Sequence, residues 1–195
     1  MNDQQKRILC LGDSNTYGYD PRDTLGGRYP REVRWTGRLG SAGLTVFNRG
    51  MNGCTVPTKE RYSAFGELVS SLLPLDAVII LLGTNDVLQG RSAAETAERM
   101  AKFLDSVIAY AGGAKLLLLA PPPLTFGDWV QSADVIAESE KLSPCYERIA
   151  RERRILYADA GRWGIGLAFD GVHFTPEGHA AFFKGLSAMS DRFSS

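Results

Sequence analysis

The chain has 195 residues, enough for one domain with a sizeable core. Hydrophobic residues make up 44% and charged residues 23%, ordinary proportions for a globular protein. Lysine plus arginine and aspartate plus glutamate number 22 each, so no net charge draws the chain toward nucleic acid or an anionic membrane.

The polar lead-in Met1–Arg7 has no signal-peptide core, and no apolar run reaches the length of a membrane span. The expected compartment is therefore the cytoplasm. Ile8–Leu11 is a short apolar run that reads, with Arg7, as a first strand ended by Gly12. Trp35–Leu39 falls in a short helix. Leu44–Asn48 reads as a second strand between Gly43 and Gly50. Lys59–Leu73 carries Tyr62, Phe65, Leu68, Val69 and Leu72 at helical spacing, and Pro74 marks its end. Ala77–Leu82 is an unbroken apolar third strand.

Ser92 opens a long helix, with Glu95 three residues on in a capping-box pattern. Its apolar face is Ala97, Met100, Phe103, Leu104, Val107 and Ile108, and Gly112-Gly113 stops it. Lys115–Leu119 is a fourth strand, ended by Pro121-Pro122-Pro123. A helical stretch from about Ser132 to Arg153 should kink or break at Pro144. Its basic cluster, Arg148, Arg151, Arg153 and Arg154, is interrupted by Glu147 and Glu152 and reads as a solvated face. Ile155–Tyr157 is a short fifth strand. Thr175-Pro176 then caps and starts a last helix with Phe182, Phe183, Leu186 and Met189 inward.

Strands apolar on both faces and alternating with helices indicate a parallel sheet covered on both sides. The expected fold is a three-layer α/β/α sandwich of one domain, residues 1–195. Its five-stranded parallel sheet would have the flavodoxin-like order 2-1-3-4-5. No repeat, low-complexity segment or linker divides the chain.

In such folds ligands bind at the carboxyl edge of the sheet. The residues leaving the strands there are Gly12-Asp13-Ser14, Asn48 to Gly53, Gly83-Thr84-Asn85-Asp86, Pro121 to Trp129, and the loop ending in Asp170-Gly171-Val172-His173. Acyl transfer through serine needs a nucleophile, a base and donors for the developing oxyanion. Ser14 supplies the hydroxyl. His173 has Asp170 three residues before it in a loop, where the carboxylate can hold one ring nitrogen and leave the other for a serine. His179, the other histidine, lies within the last helix and reads as a surface or packing residue. Asn85 and the N–H of Gly53 are candidate oxyanion donors, together with the N–H of Ser14.

Strand order 2-1-3-4-5 puts Ser14 between Gly53 and Asn85. His173 leaves strand five, roughly 14 Å away at about 4.8 Å per strand, a gap that residues 158–173 can span. Asp13 and Asp86 read as loop-holding acids and Thr84 as a packing or capping residue. Leu124, Phe126, Trp129, Tyr17 and Tyr19 are candidates to line the pocket. Cys54 has no base near it in sequence to activate it. The odd cysteine count without CxxC spacing argues against disulfides, and no histidine-acid cluster has ligand spacing. No metal or other cofactor is expected.

In Gly12-Asp13-Ser14-Asn15, Asn48 to Gly53, Gly83-Thr84-Asn85-Asp86 and Asp170-Gly171-Val172-His173, in that order, the chain resembles the SGNH hydrolases, the GDSL esterase/lipase family. Arg34-Trp35-Thr36-Gly37, the run from Leu82 to Asp86 and the triple proline resemble its bacterial arylesterase and acyltransferase branch. The resemblance implies a serine esterase acting on short acyl esters of small molecules. The branch also implies acyl transfer to alcohols and homo-oligomers up to octamers. Asn15 stands where the family usually has leucine, a side chain that is not itself catalytic there. Within the family the alternative is a carbohydrate acetylesterase. Outside catalysis, the rivals are a flavodoxin-like binding module, which would need a phosphate cradle the first loop lacks, and a silent carbohydrate-binding relative.

Overall fold

The computed structural model describes residues 5–23 and 25–189; the first four residues of the polar lead-in lie outside them. The elements run β1 (Arg7–Gly12), α1 (Ser14–Tyr17), α2 (Trp35–Ser41), β2 (Thr45–Gly50), α3 (Tyr62–Ser71), β3 (Ala77–Leu81), α4 (Thr84–Leu88) and α5 (Ala93–Tyr110). They continue with β4 (Lys115–Ala120), α6 (Ala133–Glu140), α7 (Leu142–Arg153), β5 (Leu156–Asp159) and α8 (Pro176–Ser187). The five strands form one parallel sheet of order β2-β1-β3-β4-β5, as the alternation of apolar strands and helices predicts.

Side chains alternate across the sheet because a strand has a period of two. Leu9, Leu11, Val78, Ile80, Leu116 and Leu118 face one way, against Phe65 and Val69 of α3, Met100 and Phe103 of α5, and Leu142 and Tyr146 of α7. Ile8, Cys10, Ile79, Leu81, Leu117 and Leu119 face the other way, against Trp35 and Leu39 of α2 and Phe182 and Leu186 of α8. At about 25 cal/mol per Å² of apolar surface removed from water, these two buried layers are the main stabilising term.

The predicted helix starts rest on the expected capping chemistry. Ser92 Oγ accepts from Glu95 N while Glu95 Oε2 accepts from Ser92 N. Thr175 Oγ1 accepts from Gly178 N, with Pro176 at the first helical position. Three expectations are corrected. The break between α6 and α7 falls at Lys141, upstream of Pro144. Pro144 sits in the first turn of α7, where its missing N–H has no intrahelical partner to lose. Ile108 is 42% exposed, because the buried stripe of α5 centres on Met100, Leu104 and Val107 and leaves it at the margin. β2 continues through Arg49 to Gly50, since Gly50 still pairs with Gly12.

His179 lies in the core, with no exposed surface. Its ring packs edge-on against Tyr29 and Phe174 at 5.4 Å each. Burial, with smaller effects from the Arg38 and Arg34 charges, pushes the imidazole down to about 3. In the unfolded chain an imidazole titrates near ~6.5, so between these values the unfolded state binds the extra proton. Stability from this group is therefore present above that range and is lost as pH falls through it. Between about pH 7 and pH 4 the loss should be about 3 kcal/mol. In urea titrations at both pH values, His179→Leu should lose less stability on acidification than wild type by about that amount. Equal losses would remove His179 as the cause.

Candidate active site

β1 is flanked by β2 and β3, so its carboxyl end opens between the loops that follow both. The chain turns from strand to helix within Gly12-Asp13-Ser14. A Cβ on Gly12 would collide with the Thr16 side chain and with Leu81 O, and one on Gly50 with the backbone of Thr16 and Tyr17. Two adjacent glycines in register thus let α1 lie directly on the sheet edge. Asn48 ties this arrangement together: its Nδ2 donates to Thr16 O (2.7 Å) and Thr36 Oγ1 (2.9 Å), and its Oδ1 accepts from Gly50 N (2.9 Å).

His173 arrives on a hairpin-like loop held by an isolated bridge between Leu167 and Phe174 and by Ala168 N donating to His173 O (2.7 Å). Asp170 Oδ1 accepts from Val172 N (2.9 Å) and His173 N (3.0 Å). Its Oδ2 lies 2.6 Å from His173 Nδ1, and His173 Nε2 lies 2.9 Å from Ser14 Oγ. Burial raises the Asp170 carboxyl, but the hydrogen bonds from the His173 ring and from the two N–H groups outweigh it and leave it below its usual value. An ionised Asp170 accepts only, so Nδ1 carries the ring proton of neutral His173. Nε2 then accepts from the Ser14 hydroxyl.

Ser14, Tyr19, Asn52, Gly53, Asn85, Trp129 and His173 line a cleft of about 260 Å³. Gly53 has φ +68°, a conformation that favours glycine. Asn85 Nδ2 donates to Cys54 O (3.1 Å), which aligns the amide beside Gly53 and leaves that nitrogen a second hydrogen. The Tyr19 ring lies 4.6 Å from the His173 ring, and Trp129 meets it edge-on at 5.0 Å. Trp129 is held by its own backbone, which donates to Asp170 O (3.1 Å), while Asp128 N donates to Phe169 O (3.1 Å).

The other pocket candidates stand apart from this lining. Tyr17 turns toward Arg28, whose guanidinium lies 4.3 Å from its ring centre. Leu124 is buried, with its N–H donating to Ser139 Oγ (2.9 Å). Phe126 is 68% exposed and outside the cleft. Asn52, which sequence reasoning placed in the loop but gave no role, lines the cleft; its place next to Gly53 was the available signal.

Beneath the cleft are two buried acids. Asp13 Oδ1 accepts from Asn15 N (2.9 Å). Burial pushes its carboxyl up to about 6, although this bond and the nearby His173 pull the other way. Asp86 Oδ2 accepts from Val56 N (2.8 Å), and Arg99 and Arg91 lie 3.2 and 3.6 Å from Oδ1. Burial raises this carboxyl against the pull of Val56 N–H, Arg99 and Arg91. Thr84 is buried beside it in α4. Cys54 is buried, and burial pushes its thiol up to about 11, which keeps it protonated and unreactive. Among the described residues, no three His, Cys, Asp or Glu side chains cluster as metal ligands, and no helix is long and apolar enough to cross a membrane.

The 2-1-3-4-5 sheet, with the Gly12-Asp13-Ser14 turn and the Asp170–His173 loop meeting at its carboxyl edge, is the SGNH hydrolase fold. The GDSL-like lipase/acylhydrolase family model matches residues 10–181, and the chain belongs to that family. It is a carboxylic ester hydrolase. Among solved structures, a carbohydrate acetylesterase from Sinorhizobium meliloti is 29% identical. It superposes with TM-score 0.85 over 96% of this chain and 99% of that one. The inhibitor-bound M. smegmatis aryl esterase is 30% identical, with TM-score 0.86 over 96% and 99%. A GDSL-family lipolytic protein from Veillonella parvula, at 18% identity and TM-score 0.72 over 95% and 98%, shares the fold. No curated protein sequence matches the chain significantly.

Asp86 anchors the segment that carries Gly53, so Asp86→Ala would leave Val56 N and Arg99 without their buried partner. The expected cost is about 3 kcal/mol, read as a lowered urea midpoint with unchanged slope.

Proposed function

We propose that residues 1–195 act as one serine esterase domain that cleaves short-chain acyl esters through Ser14, His173 and Asp170. The observation that carries this reading is His173 held at 2.6 Å by Asp170 on one ring nitrogen and at 2.9 Å by Ser14 Oγ on the other. The cleft of about 260 Å³ suits a small acyl group better than a long chain.

Ser14 Oγ attacks the ester carbonyl as His173 Nε2 takes its proton. Asp170 stabilises the resulting imidazolium through Nδ1. The carbonyl oxygen, now negative, is held by the N–H groups of Ser14 and Gly53 and by the Asn85 amide. Collapse expels the alcohol, which takes the proton from Nε2 and leaves an acyl-serine. Water, or a second alcohol in acyl transfer, then attacks that ester with His173 as base, and Ser14 regains its proton.

A second reading has support from the carbohydrate acetylesterase among the similar structures: the acyl group would be an acetyl on a sugar hydroxyl. A panel of p-nitrophenyl esters and acetylated sugars separates the two by relative kcat/KM.

Ser14→Ala should abolish hydrolysis of p-nitrophenyl acetate and labelling by a fluorophosphonate. Wild-type turnover by this variant would refute the assignment. Asn85→Ala should lower kcat about a hundredfold with little change in KM, since its donor bond strengthens mainly in the transition state.

A further inference from the structure

We infer that Asn15 is a positioning residue that sets the reach of His173 toward Ser14, an inference that rests on the serine mechanism above. Asn15 is 4% exposed and takes no part in lining the cleft. Its side chain spans the two ends of the histidine's backbone. Nδ2 donates to Val172 O (3.1 Å), and Oδ1 accepts from Phe174 N (2.9 Å). Val172 O can only accept and Phe174 N can only donate, so these partners fix the orientation of the amide.

The same residue is fastened to the nucleophile turn. Its N–H donates to Asp13 Oδ1 (2.9 Å), and its carbonyl accepts from Trp35 Nε1 (3.0 Å). All four of its polar groups are thus engaged. Asn15 acts as a one-residue strand, offering the loop at 172–174 the acceptor and donor that a neighbouring backbone would offer. Because it follows Ser14 directly, the nucleophile and the base are referenced to one rigid amide. A leucine there would fill similar space but leave Val172 O and Phe174 N unpaired in a buried loop, free to shift by fractions of an ångström. Misplacement on the scale of 1 Å can cost about a hundredfold in rate.

Asn15→Asp supplies a reversible version of the same test. Protonated, its carboxyl has one O–H for Val172 O and one oxygen for Phe174 N, restoring both bonds. Ionised, it only accepts and opposes Val172 O. Burial favours the neutral form and so moves the carboxyl's titration up toward the working pH range.

The experiment measures kcat and KM on p-nitrophenyl acetate for wild type, Asn15→Leu, Asn15→Asp and Ser14→Ala between about pH 8 and about pH 5. Folding is checked by circular dichroism. Asn15→Leu should lose about tenfold or more in kcat with KM within about twofold. The ratio of Asn15→Asp to wild-type kcat should start low at about pH 8 and recover several-fold toward about pH 5. A folded Asn15→Leu with kcat within about twofold of wild type overturns the proposal. So does an Asn15→Asp ratio that is flat across pH, including one that is null throughout. If Asn15→Leu does not fold, the Asn15→Asp ratio alone decides. Ser14→Ala separates the two levels: its full activity sinks the serine mechanism itself. An inactive Ser14→Ala beside unaffected Asn15 variants sinks only the positioning role.

Discussion

Nothing larger than hydrogen fits between the end of β1 and the short helix laid across it. Gly12 and Gly50 face each other in register; a Cβ on the first would strike the Thr16 side chain and Leu81 O, and one on the second the backbone of Thr16 and Tyr17. This close approach brings Ser14 to the sheet edge instead of out over solvent. The other polar features of the site are referenced to it. Asn48 bonds across it to Thr16 and Thr36, Trp35 reaches Asn15, and Asn15 reaches the histidine loop. Because β1 has neighbours on both sides, the loops after β2 and β3 come to it from either side without long connections.

The acids near the cleft show how the same residue type takes different states in neighbouring places. Asp170 receives three hydrogen bonds and stays ionised below its usual range. Asp86 is faced by two arginines and the Val56 N–H. Asp13 accepts from Asn15 N, and burial outweighs this bond and the pull of nearby His173, pushing its carboxyl up to about 6. All three are buried; the hydrogen bonds outweigh burial at Asp170, while burial prevails at Asp86 and Asp13.

Much of this was legible in the sequence because its signals are large and repeated. Five apolar runs separated by capped helices leave few topologies, and the order of the strands follows. That topology also brings Ser14, Asn85 and His173 to one edge before any coordinate is known. Side-chain direction in loops was not legible. Tyr17 and Tyr19 are two residues apart, yet Arg28 draws the first ring away while the second packs on His173. Leu124 and Trp129 share a loop, but one is buried against α6 and the other is half exposed at the cleft. His179 sits in a helix whose apolar pattern does not include it, and its burial between Phe174 and Tyr29 depends on one ring far back in the chain, Tyr29. Asn15 was visible as a departure from the usual leucine, but its two bonds join residues 157 and 159 positions away.

The loop carrying Trp129 is stitched by main-chain bonds to the loop carrying Asp170, at Thr125–Gly171, Asp128–Phe169 and Trp129–Asp170. One wall of the cleft and the Asp170 carboxylate behind His173 are therefore joined through the main chain. A ligand that pushed the Trp129 backbone aside would strain the bonds that hold the Asp170 loop. On the serine mechanism proposed above, the room beside Trp129 is thereby coupled to the alignment of Asp170 with His173.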